Sequence, residues 1–321
     1  MRQSFLISCL LLLQSPAFCW GFFGHRKINY MAVFLLPPEM IRFYKPHIEY
    51  LELHAVDPDK RRYAVAAEGP RHYIDMDQYG TFPYAGLPRN WNDAVARFSE
   101  DSLMQHGIVP WHIQVMLKRL THAFQEKDAS RILQLSAELG HYIADAHVPL
   151  HASSNHNGQK TNQKGIHGFW ESRVPELLAD STFDFLIGKA QYIRNPLQFT
   201  WERVYESARA ADTVLKSEYQ LTQQFRGDRK YVFELHGNIT IRQYSPEFTR
   251  AFDARMNGMV ERRMRQAIFA VASFWYTAWV NAGQPDLGSL QLQPATASEQ
   301  AAMNQLNEAW RNGKSMIGRD E

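Results

Sequence analysis

The chain has 321 residues, 45% of them hydrophobic and 21% charged, with a formal net charge of +2. That composition suits one sizeable globular core. Near neutrality removes a general electrostatic attraction to nucleic acid or an anionic membrane as the basis of function, though a local basic patch stays compatible with it.

The first nineteen residues stand apart. Arg2 opens them, Phe5 to Leu13 is a short apolar run, and Ala17-Phe18-Cys19 sets small residues at the third-last and last positions. This is the pattern of a cleaved secretory signal, and the run is too short to span a bilayer. An uncleaved anchor is the alternative, and Pro16-Ala17-Phe18 makes a poor lipidation site ahead of Cys19. Cleavage makes Trp20 the new N-terminus and predicts a secreted or periplasmic protein. Both cysteines, Cys9 and Cys19, fall in this segment, so any metal site in the mature chain must use His, carboxylate, water or the terminus.

Beyond the signal, apolar residues recur at three- and four-residue spacing over 25 to 36, 38 to 54, 92 to 126, 128 to 148, 168 to 180, 198 to 224 and 247 to 282. The last is clearest: Met256, Val260, Met264, Ile268, Val271 and Trp275 form a stripe, which Asn281, Gly283 and Pro285 end. Strand-like alternation is scarce, the best case being Gly237 to Tyr244. The expectation is an all-α fold: one domain over 20–283, then a peripheral tail over 284–321 rich in Gln, Ala and Ser.

One stretch carries an unusual set of side chains. From His141 to Glu171, three His and two carboxylates (His141, Asp145, His151, His167, Glu171) follow one another at steps of four, six, sixteen and four. A step of four puts both members of a pair on one helix face, so His141 points with Asp145, and His167 with Glu171. Pro149 ends the first helix, because proline disfavours the α conformation before it, and leaves His151 just past that end. The polar loop over 153–165 then leads into His167. Taken singly, a His near a helix end is usually hydrogen-bonded or solvated, and a lone HxxxE pair is usually a surface contact. Two such pairs with a His between them point to metal ligation.

Two further stretches extend the pattern: WGFFGH, Trp20 to His25, and HAVDPDKRRYAVAAEGPRHYID, in which Asp57 precedes His72 by fifteen residues. Together with HxxxDxxxxxH and HxxxE, they resemble the zinc-dependent phospholipase C and single-strand-specific zinc nuclease superfamily, over Trp20 to Glu171 and in the family's order. The resemblance implies a cluster of three zinc ions per chain. Asp57, His72, His141 and Asp145 would hold one; the amine and carbonyl of Trp20, with His25 and Asp145, a second; His151, His167 and Glu171 the third. Asp145 is then the bridge, and Asp57 the general base or orienting group for the attacking water. Asp59 competes with Asp57 in DPD, with the fifteen-residue interval and the preceding Ala-Val favouring Asp57.

The branch is less sharply marked. Glu171 is the residue type of the phospholipase branch, where the nucleases more often carry Asp, whereas the short step from Trp20 to His25 resembles the nucleases. The nuclease branch also has an Arg three residues after its Asp; counted from Asp57 that position is Lys60, with Arg61 and Arg62 following. Lys60 and Arg61 are candidate substrate contacts, or simply a solvated charged run. His147 and His156 fit no part of the pattern, and Asp75 is a candidate acceptor for a ligand imidazole. Phe22, Phe23, Tyr79, Phe169 and Trp170 can stack on bases, line an apolar approach, or pack in the core. The expected activity is hydrolysis of phosphoric ester bonds, phospholipase C type ahead of single-strand nuclease, with a non-catalytic metal-stabilised binding module as a third reading. The implied partners are a phospholipid or single-stranded nucleic acid and a transient membrane-surface contact, with no obligate protein partner.

Overall fold

The computed structural model describes residues 21–236, 239–292, 294 and 296–312. The segment expected to be a secretory signal, and Trp20 after it, lie outside them. Among the described residues the fold is all-α apart from one hairpin. Among these described residues no helix is long and apolar enough to cross a membrane.

The described residues open with α1 (Gly21–Val33), α2 (Pro38–Tyr44), α3 (Ile48–Leu53) and α4 (Asp57–Arg61). The continuous pattern over 38 to 54 is interrupted at Pro46, where Lys45–His47 tightens to a 3-10 turn. Then come α5 (Trp91–Phe98), α6 (Glu100–His106), α7 (Val109–Glu126) and α8 (Ala129–Asp145). The periodic run over 92 to 126 is therefore three helices. Ser99, at φ 66°, ends α5 and accepts a hydrogen bond from Ser102 N to start α6. Gly107, at φ 90°, breaks the chain where any Cβ would meet Tyr73 O at 2.2 Å.

After the loop come α9 (Ile166–Gly168), a π-helical turn at Phe169–Arg173, α10 (Val174–Leu178) and α11 (Pro196–Gln224). Strands Tyr231–His236 and Ile239–Tyr244 pair antiparallel, Tyr231 opposite Tyr244. Of the alternating segment over 237–244, Ile239–Tyr244 is the second arm of this hairpin, while 237 and 238 lie outside the described residues. Next are α12 (Pro246–Arg255) and α13 (Met259–Asn281), split from each other at Asn257 and Gly258, both at positive φ. Val260, Met264, Ile268, Val271 and Trp275 of the predicted stripe are all buried.

The core lies where α1, α7, α8 and α13 pack together. Trp275 donates from Nε1 to Ser136 O at 2.9 Å and stacks on Tyr44, tying α13 to α8 and α2. Gly140 lets α1 approach α8 closely, because a Cβ there would sit 2.0 Å from Asn29 Oδ1. Asn29 Nδ2 in turn donates to Ala137 O at 3.0 Å. That approach presses the His25 ring onto the next residue of α8, His141, with centroids 3.9 Å apart. The last helix, α14 (Ala297–Arg311), starts with a Thr296/Glu299 capping box and folds back against α4. Trp310 meets Phe22 at 5.4 Å. The C-terminal segment thus rests on the short helix that carries Asp57 and Asp59.

Candidate metal centre

Five imidazoles and three carboxylates converge beneath the end of α8. His25, Asp59, His72, His141, Asp145, His151, His167 and Glu171 are all buried. Burying so many polar side chains is costly unless each finds a partner. Yet neither ring nitrogen of His25, neither oxygen of Asp59, nor Oδ1 of Asp145 has a hydrogen-bond partner among the described residues.

The spacings explain this. His141 Nε2 lies 3.0 Å from His72 Nδ1, 3.2 Å from Asp145 Oδ2 and 3.6 Å from Asp59 Oδ1. Asp59 Oδ1 is also 3.7 Å from His72 Nδ1. On the other side of the same carboxylate, Asp145 Oδ1 stands 3.5 Å from His25 Nε2. Ligands at about 2.0–2.1 Å around a tetrahedral ion lie about 3.3 Å from one another, the separation seen here. Backbone carbonyls hold the rings in the ligating tautomer: His141 Nδ1 donates to Ala55 O at 2.8 Å and His151 Nδ1 to His72 O at 2.7 Å, which leaves Nε2 of each with its lone pair.

A second group is built on the turn after the loop. His151 Nε2 and His167 Nε2 are 3.0 Å apart, and Glu171 Oε2 stands 2.9 Å from His167 Nε2 and 3.5 Å from His151 Nε2. Glu171 sits in the π-helical turn, a local widening that recurs at functional sites. Three sets of side chains can therefore each hold an ion: His25, His141 and Asp145; Asp59, His72 and His141; His151, His167 and Glu171. With one oxygen turned to each of the first two sets, Asp145 has the geometry of a bridge.

The electrostatics agree. Burial opposes protonation of His141, but the carboxylates of Asp145 and Asp59 outweigh it and push its pKa up to about 9. The same field favours a divalent cation. Burial also raises Asp145, yet His141, His151 and the hydrogen bonds to it hold its carboxyl well below the usual carboxylate range. Burial raises the pKa of Asp59.

The structure corrects the choice within DPD: Asp57 is turned away from the cluster and Asp59 takes the place expected of it. Asp57 Oδ2 meets His54 Nδ1 at 2.5 Å and Oδ1 meets Lys60 Nζ at 2.8 Å. Two residues on a helix are about 200° apart around its axis, so when Asp57 faces its own flanking residues Asp59 faces α8. Lys60 and Arg61 are likewise turned inward to partners: Lys60 to Asp57, Arg61 to Glu68 at 3.3 Å and Glu138 at 2.8 Å.

The other sequence candidates fall as follows. Glu68 Oε1 lies 3.6 Å from His72 Nε2; Glu68 stands four residues before His72, the same step as the two pairs read as ligands, and that spacing is the signal that could have found it. Asp75 lines a separate cavity of about 560 Å³ with Tyr73, Met104 and His106. His147 bonds to Ile143 O, and its own carbonyl accepts from Arg263 Nε. His156 stands 6.2 Å, ring to ring, from His167. Phe169, Trp170 and Tyr79 are core aromatics, while Phe22 and Phe23 are half-buried on α1.

Set beside known proteins, the S1/P1 Nuclease family model matches residues 20–267. None of the curated proteins matches the chain. The family match spans the whole cluster, from His25 to Glu171, and its zinc dependence agrees with a donor set of imidazoles and carboxylates. The chain belongs to the S1/P1 nuclease family, within the zinc-dependent phospholipase C and single-strand nuclease superfamily, and is a zinc-dependent phosphodiesterase.

Proposed function

We propose that this phosphodiesterase is a nuclease acting on single-stranded nucleic acid, in place of the phospholipase C activity that the sequence favoured. The observation that carries this reading is the position of Asp59. Counted from Asp59, the Arg three residues on, which marks the nuclease branch, is Arg62. Arg62 is fully buried, and its charge acts on Asp59. Glu171 remains the feature that favours a phospholipase.

Zinc held by these residues supplies positive charge for the phosphoryl oxygens and lowers the pKa of water. Asp59 orients the attacking water and accepts its hydrogen bond, a role suited to a carboxylate with no other hydrogen-bond partner. The positive charge of Arg62 favours the ionised form of Asp59. Asp145 fixes His25, His72 and His141 relative to one another.

The reading includes three ions per chain, with the freed amine and carbonyl of Trp20 completing the His25 set, and export after removal of the first nineteen residues. An assay panel decides the substrate: single-stranded DNA, RNA, phosphatidylcholine and a chromogenic phosphodiester, each with zinc and with chelator. Nucleotides ending in 5′-phosphate are the expected product. Release of phosphocholine and diacylglycerol with no nucleotide release would overturn the reading.

A further inference from the structure

On the far side of Tyr142 from the cluster lies a cavity of about 270 Å³. It is built between two helix faces. His112, Met116 and Arg119 recur at helical spacing along α7, and Arg131, Leu135, Glu138 and Tyr142 along α8. Arg61 and Arg71 close it.

Four guanidinium groups therefore line one small space. Their acidic counterparts are fewer. Arg61 pairs with Glu138 and Glu68, and Arg71 with Glu68 at 2.7 Å. Arg119 and Arg131, both exposed, have no carboxylate partner among the described residues; Arg119 reaches only the sulfur of Met116, at 4.0 Å. Four cations against two carboxylates leave an excess of two positive charges at the cavity. His112 lines the same space, is 7% exposed, and its Nε2 has no hydrogen-bond partner among the described residues. Burial and the nearby Arg71 hold its pKa down at about 3, so its ring is neutral and carries one N–H. A buried imidazole without a partner for Nε2, beside unpaired guanidiniums, matches a ligand that accepts hydrogen bonds and carries two negative charges. The volume is at the lower end for small-molecule sites and too small for a polymer strand.

We propose that this cavity binds a dianionic phosphate, inorganic or the terminal group of a mononucleotide, at a site separate from the metal cluster. Arg119 and Arg131 close on the anion from the rim, and His112 meets it from the wall. The cavity meets the cluster through Tyr142, whose ring packs edge-on against His72 and His141, and through Glu68, which receives Arg61, Arg71 and the Tyr142 hydroxyl on this side and faces His72 on the other. The proposal stands whatever polymer or lipid the cluster cleaves.

The test is a titration of the zinc-loaded protein, carrying ¹⁵N-labelled histidine, with inorganic phosphate at constant ionic strength, following the His112 ring signals assigned by their loss in His112→Gln. A saturable shift is expected that equal chloride does not produce. Arg119→Gln with Arg131→Gln should weaken it at least tenfold, with zinc content and melting temperature unchanged, since both side chains are exposed. A nucleoside 5′-monophosphate run in parallel identifies the source: tighter binding than phosphate assigns the site to a mononucleotide, equal or weaker binding to the free ion. Absence of a saturable shift, or one of the same affinity in the double variant, would overturn the proposal, the latter because it would place the anion at the cluster.

Discussion

The same short motif occurs twice in this chain with opposite fates. His122 and Glu126 on α7, and His167 and Glu171 after the loop, are both HxxxE pairs whose Nε2 and carboxylate oxygen approach within 3.2 and 2.9 Å. The first pair is exposed, its side chains 66% and 51% accessible, while the side chains of the second are at most 1% accessible. The spacing makes the contact in both places. Only the second is buried against a further imidazole, His151, whose Nε2 lies 3.0 Å from that of His167. A ligand set is thus distinguished from a surface ion pair by convergence of a third donor and exclusion of water, both products of tertiary packing.

The comparison breaks most readily at its buried end. Chelation of zinc should abolish phosphodiester hydrolysis, and Asp145→Ala should approach the same result, because this one carboxylate faces His25 on one oxygen and His72 and His141 on the other. Metal-ion charge stabilisation is worth several kcal/mol, so a loss of about 10³-fold or more in rate is expected. Elemental analysis should show zinc lost from two sets together in Asp145→Ala, while His167→Ala should mainly empty the set it shares with His151 and Glu171. Zinc content equal to the parent in Asp145→Ala would refute the bridge.

Next in size is the pair of carboxylates on α4. Asp59→Asn removes a charged donor from the cluster and should cost about 10²-fold in rate, the scale of a lost general base. Asp57→Asn disturbs only the contacts to His54 and Lys60 and should leave rate and zinc content near those of the parent, with about 1 kcal/mol lost in stability. Rates measured with the substrate that the panel selects decide it, and equal losses in the two variants would undo the assignment.

This pair also shows how far the sequence reaches. The helical class was readable because apolar residues at a 3.6-residue period leave few alternatives, and the His141–Asp145 and His167–Glu171 pairs because helical spacing alone sets their direction. Asp57 and Asp59 are two residues apart, so which one faces α8 depends on the rotational phase of a five-residue helix, and that phase is set by contacts with α8 and by the 3-10 turn at His54–Val56. The α7–α8 cavity was equally illegible, since it joins residues up to 81 positions apart, whereas Glu68 stands only four residues before His72, a spacing the sequence does display. One sequence signal did exist for Asp59: the Arg three residues on, which singles out Arg62 when the count begins there.

His112 offers a smaller effect with a definite sign. It is another buried histidine, but outside the ligand cluster. An unfolded histidine titrates near 6.5, whereas in the folded chain burial and the charge of Arg71 hold His112 at about 3. Between those values the unfolded state binds more protons, so stability falls as pH is lowered through 6.5 toward 3. From pH 6.5 to 5 this amounts to about 2 kcal/mol. Denaturant midpoints of the parent and His112→Gln across that range should differ in slope, the variant losing less on acidification. Parallel slopes would mean that His112 is not held neutral.

The smallest expected effect is at the exposed pair, and it is the one on which the comparison rests. His122→Ala removes the same kind of contact as His167→Ala, at the same spacing and nearly the same distance. At the surface both partners remain hydrated when the contact is lost, and exposed pairs four apart on a helix contribute about 0.3–0.5 kcal/mol. At His167 the neighbouring Nε2 of His151 and the Glu171 carboxylate are left facing each other in a buried space. His122→Ala should therefore leave zinc content and rate unchanged and shift stability by no more than about 0.5 kcal/mol, an effect that 1 M salt removes because an exposed pair is screened. A loss of zinc in His122→Ala would show that the exposed motif binds metal after all, and that burial with a third donor does not separate the two pairs.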